Sequence, residues 1–78
     1  MMRVTEPGLN RDGRSLLYRA AQFSARHGGA YPLSLDSDRR GAEVAVAGGY
    51  VRRLSDDRHF VTVTEKGRGY LDALMRAE

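Results

Sequence analysis

Cysteine is absent from the 78 residues, which removes disulfides, a thiol nucleophile and any thiolate metal site at once. Long apolar runs are missing too. Nothing approaches the length that spans a bilayer, and MMRVTEPGLNRDG at the N-terminus has no apolar stretch between its first charge and Pro7 to act as a signal sequence. A soluble, cytoplasmic protein without membrane association is the expectation. The length leaves no room for a second domain and lies near the lower limit at which a chain buries a core without a disulfide or a metal.

Recognisable catalytic chemistry is also lacking. Gly67 and Gly69 in KGRGY fall at a helix start and do not form the G-x-G-x-x-G pattern that follows a strand in dinucleotide sites. No nucleophile stands beside a base in an identifiable motif. His27 and His59, the only histidines, lie in different elements without acidic partners at metal-ligand spacing. A non-enzyme with no cofactor and no metal is expected.

What the chain does have is charge. Thirteen basic residues against ten acidic ones give +3, and all but Lys66 of the basic set are arginine. Arg39 and Arg40 form one cluster and Arg52, Arg53 and Arg58 another, with Asp36, Asp38, Asp56 and Asp57 among them. This balance is compatible with a nucleic-acid partner, but there is no purely basic stripe.

Residues 1–12, with Pro7, Gly8, Asn10 and Asp12 and little apolar content, read as a flexible N-terminal arm, and 13–78 as the folded domain. Asp12 is placed to cap a helix through Arg14 to about Arg26, with Leu16, Leu17, Ala20, Ala21, Phe23 and Ser24 at helical spacing and Gly28 and Gly29 to stop it. AYPLSL at 30–35 reads as a short edge strand because of Pro32. Asp36 or Ser37 is placed to cap a second helix at 38–47, with Ala42, Ala45 and Val46 inward and Arg40, Val44 and Ala47 on the outer face. Val44 can instead be buried under a neighbouring loop. The segments 50–54 and 60–64, separated by Ser55, Asp56 and Asp57, read as a hairpin with Val61 and Val63 inward. Thr64 then caps a last helix carrying Tyr70, Leu71, Leu74 and Met75. The fold class expected is a small α+β domain in the order α-β-α-β-β-α.

Three local patterns carry a resemblance: GlyTyrVal at 49–51 ending a helix, AspAspArg at 56–58 at a hairpin tip, and ThrGluLysGlyArg at 64–68 opening the final helix. Together with the element order they resemble the winged helix-turn-helix domains of bacterial transcription regulators of the MarR and PadR kinds, over 42–75. The resemblance implies a winged-helix-like fold that binds double-stranded DNA. Arg39, Arg40 and Glu43 would face the major groove from a helix at 37–47, and Arg52, Arg53, Arg58 and His59 would make wing contacts from a hairpin at 50–64. Arginine suits that work, since its planar fork meets a guanine edge or a phosphate with two parallel hydrogen bonds. A module this small gains affinity by pairing on a palindromic site, so a homodimer is expected, with Tyr70, Leu74 and Met75 as its face. The chain departs from the pattern between His27 and Tyr50, where about twenty residues stand in for a strand and two helices of ~10 residues each; one helix of the unit is missing or shortened.

Two readings of function stay open. One is a DNA-binding transcriptional regulator. The other is a winged-helix-like module that binds a protein, as a small inhibitor or adaptor of the sort a phage or other mobile element encodes; the missing helix, the interleaved acids and the outward Val44 and Ala47 favour it. Locally, Arg39 and Arg40 also have a plainer explanation as ion partners of Asp36 and Asp38 at a helix start, and Asp56 and Asp57 as turn residues that would repel phosphates.

Overall fold

The computed structural model describes residues 9–77. Three helices, α1 (Arg11–His27), α2 (Asp36–Ala47) and α3 (Glu65–Ala77), surround a sheet of β1 (Tyr31–Pro32), β2 (Val51–Arg53) and β3 (Phe60–Val63). The fold is α+β in the expected order, with an antiparallel sheet arranged β1-β3-β2.

Residues 9–12, expected as the end of a flexible arm at 1–12, belong to the fold. Asn10, not Asp12, caps α1, its side-chain oxygen accepting from Gly13 N at 2.8 Å, and Leu9 is buried in the core. Residues 1–8 lie outside the described residues. Leu9 reaches the core ahead of the helix, and the cap lies two residues sooner than composition suggests. At the other end Gly28 adopts the left-handed conformation that glycine tolerates (φ 67), and its N–H donates to the Ser24 carbonyl at 2.8 Å. Leu16, Leu17 and Ala20 give α1 its buried stripe, while Phe23 lies half-buried between the rings of His27 and Tyr31.

Leu35 is the N-cap residue of α2 and makes no side-chain capping bond, in place of the Asp36 or Ser37 cap expected. The helix starts two residues early, which places Asp38 at its third position, within the first turn. Its inward face is made of small residues, Gly41, Ala42 and Ala45, all buried. The reason is the closeness of α1: a Cβ added to Gly41 would overlap the Asp12 carbonyl and approach Gly13 N at 3.1 Å. Two helices can come this near only where one has no side chain.

Alternation along the sheet puts Val51, Val61 and Val63 on the covered side and Arg52 and Thr62, which are register partners, on the other. The inward placement of Val61 and Val63 agrees with their spacing. The Thr64 hydroxyl caps α3 by accepting from Gly67 N at 3.1 Å, and donates to the Gly49 carbonyl at 2.6 Å. Gly67 repeats the device at Gly41: an added Cβ would overlap the Tyr50 carbonyl.

The two kinds of helix glycine make opposite predictions. Gly41→Ala should cost about 3 kcal/mol, since neither backbone can yield without moving a helix. Gly69→Ala, with nothing within 4 Å of the new Cβ, should instead stabilise α3 by about 0.5–1 kcal/mol. Urea unfolding followed by far-ultraviolet circular dichroism reads both.

Candidate nucleic-acid interface

The helix expected to face DNA is held by a buried charge. Asp38 is 0% exposed, and its two carboxylate oxygens are met from two other elements. Arg19 of α1 donates from Nη1 to Oδ1 at 3.0 Å, and the Tyr31 hydroxyl of β1 donates to Oδ2 at 2.7 Å. This differs from the reading of Asp38 as a solvated partner of Arg39 or Arg40. At the third position of α2 it points into the junction of α1, β1 and α2, where only cross-element partners can satisfy it. The Tyr31 phenol is pushed up from 10.0 to about 12 by burial first, then by its hydrogen bond to Asp38 and that residue's negative charge, against a lowering by Arg19.

With Asp38, Gly41, Ala42 and Ala45 inward, a turn of about 100° per residue leaves Arg39, Arg40, Glu43 and Ala47 outward, and all four are exposed. Each arginine is held by one carboxylate. Arg39 Nη1 lies 2.6 Å from Asp36 Oδ1, so the plainer reading holds for this pair. Arg40 is paired instead with Asp12 of α1, Nε to Oδ2 at 3.2 Å. That bond uses Nε, and among the described residues Nη1 and Nη2 donate no hydrogen bond. Val44 is half-buried and packed against the core, so it leaves the outer face where helical spacing had put it; in a domain this thin, burial extends around the flank of α2.

The hairpin residues separate. Arg52 is exposed on the outer side of the sheet, while Arg53 faces the other way, half-buried, and donates from Nη1 to the Arg58 carbonyl at 3.1 Å. Arg53 thus braces the turn that carries Arg58 and His59, both exposed. Asp57 is a turn residue, its Oδ1 accepting from His59 N at 3.1 Å and its carbonyl from Phe60 N at 3.2 Å. Among the described residues, no hydrogen bond or ion pair joins the helix set, Arg39, Arg40 and Glu43, to the hairpin set, Arg52, Arg53, Arg58 and His59.

On α3 the residues expected at a dimer face divide as well. Tyr70 turns inward, edge-on to the Tyr50 ring with centroids 5.1 Å apart. Leu74 and Met75 stay exposed beside a groove of about 710 Å³ between α1 and α3, which Tyr18 also lines. Two residues that matter to the site escaped the sequence reading, Asp12 as the partner of Arg40 and Asp38 as the anchor of α2. The only signal for either was the excess of acids near helix starts, and that signal does not name distant partners.

The described residues contain no group of three His, Cys, Asp or Glu arranged to hold a metal ion, and no helix among them is long and apolar enough to cross a membrane. Set against known protein families, curated proteins and solved structures, the chain matches none.

Removing the Asp38 carboxylate as Asp38→Ala should cost about 3 kcal/mol, a large part of the roughly 4–12 kcal/mol available to a domain of this size. The tyrosine gives a pH test. Its folded value lies above the ordinary one, so folding favours the protonated phenol, and that stabilisation is whole below pH 10 and lost as pH rises towards 12. The difference in urea midpoint between the wild type and Tyr31→Phe should therefore shrink over that interval.

Proposed function

We propose that the chain is a DNA-binding transcriptional regulator of the winged-helix kind, a cytoplasmic homodimer that lays α2 in the major groove of double-stranded DNA and its β2–β3 hairpin along the adjacent backbone. The observation that carries this reading is the outer face of α2. Arg39, Arg40 and Glu43 stand together there, exposed, on a helix whose rotation is fixed by Asp38. Arg40 is restrained through Nε alone, which restricts its motion while leaving the fork for a guanine edge or a phosphate. The hairpin follows α2 directly in the chain and adds Arg52, Arg58 and His59 as exposed groups.

A second reading, a protein-binding module, draws support from one observation. Asp36 and Glu43 balance Arg39 and Arg40 on the α2 face, so the face carries no net charge, whereas a phosphate-facing surface is positive. Its diagnostic position is Ala47, exposed on that face, and not Val44, whose replacement by Asp would also disturb the core.

Fluorescence anisotropy with a random duplex at two salt concentrations separates them. Four phosphate contacts, from Arg39, Arg40, Arg52 and Arg58, should weaken binding about 100-fold between about 50 and 200 mM salt. Arg39→Ala with Arg40→Ala should reduce the log–log salt slope by about 2. Absence of binding even at the lower salt would remove the regulator reading and leave Ala47→Asp as the probe of a protein partner.

A further inference from the structure

The groove between α1 and α3 differs from the rest of the surface. Of the four large hydrophobic residues exposed among the described residues, three border it: Tyr18 at 50%, Leu74 at 38% and Met75 at 65%. Single exposed hydrophobics are ordinary, but a cluster around a concavity marks a surface that is covered in use. From α1 the groove is lined by Tyr18, Ala21, Gln22 and Ala25. Arg68 and Asp72 also line the groove, one turn apart on α3, and neither has an ion-pair partner among the described residues.

We infer that this groove is the seat of a second copy of the chain, closed by two-fold symmetry so that Arg68 of each copy pairs with Asp72 of the other. Charge complementarity selects this occupant. A face with one cation and one anion beside an apolar patch is not matched by a uniformly acidic or basic partner, and an apolar ligand would leave both charges unpaired. The same face turned through a two-fold axis supplies an anion for the cation and a cation for the anion, as an isologous contact requires. Laid antiparallel, the two α3 helices direct each Arg68 towards the other copy's Asp72 and press Leu74 and Met75 against the opposite groove. Tyr70 takes no part, since its ring packs on Tyr50. The contact is small, so monomer and dimer exchange with concentration. The inference rests on the homodimer in the proposed function but needs no DNA.

Sedimentation velocity of the full chain over a concentration series, without DNA, tests it. The wild type should shift from monomer towards dimer as concentration rises. Arg68→Asp and Asp72→Arg each set like charges across the axis and should weaken association at least tenfold. An equimolar mixture of the two variants should recover it, because the mixed dimer pairs opposite charges at both contacts, which no pairing within one helix can mimic. Met75→Asp, at a position that touches solvent, should weaken association in the same way and gives a second variant should either charge reversal fail to fold. A wild type that stays monomeric throughout, charge variants that associate as well as the wild type, or a mixture that stays monomeric would each overturn the inference. A dimer that fails to bind DNA would count against the regulator reading alone, and a monomer that binds DNA against this inference alone.

Discussion

Asp38 is fully buried, and an ionised carboxylate moved from water into a protein interior costs several kcal/mol unless partners replace its hydration. Arg19 and Tyr31 replace it, one on each oxygen, from two different elements. The gain is less in net stability, where a buried ion pair is often matched by an apolar substitute, than in direction. Downstream, α2 buries only Gly41, Ala42 and Ala45, and such a smooth face could rotate or slide at little cost. A carboxylate with two fixed donors permits one setting, and that setting sends Arg39, Arg40 and Glu43 outward.

Backbone contact does much of the packing that large side chains do in bigger domains. Gly41 lies against the carbonyl of Asp12 and Gly67 against that of Tyr50, so α1 meets α2, and α3 meets the start of β2, without intervening side chains. The first of these contacts also has a functional consequence. By bringing the α1 N-terminus onto α2, it puts the Asp12 carboxylate beside Arg40, so the same close approach that tightens the core orients one of the two arginines on the exposed face. The second helps Thr64 and Lys66 bind the α3 N-terminus to the carbonyls of Gly49 and Gly48.

Local patterns made most of the fold legible. Leu16, Leu17 and Ala20 recur at helical spacing, Val61 and Val63 alternate, and Thr64 caps because its hydroxyl acts within three residues. The failures share a physical cause, which is distance along the chain. Nothing in the Asp36-Ser37-Asp38 run says which acid is buried, because the answer depends on Arg19 and Tyr31, 19 and 7 residues away. Asp12 looked like a cap because its true role, beside Arg40, lies 28 residues off. The same limit applies to the candidate site. Exposure of Arg39, Arg40, Arg52, Arg58 and His59 followed from pattern, but the inward turn of Arg53 depended on the register of β2 against β3, and the burial of Val44 on how thin the domain is.

The functional account depends on one surface, the outer face of α2 together with the β2–β3 hairpin. Nuclear magnetic resonance shift mapping of the isotopically labelled chain, titrated with a short DNA duplex, tests it most directly, since it reports position as well as binding. The account predicts that the amide signals that move directly with bound duplex will cluster in 36–47 and 52–59. Shifts confined to the α1/α3 groove, or no shifts with duplex in excess, would contradict it.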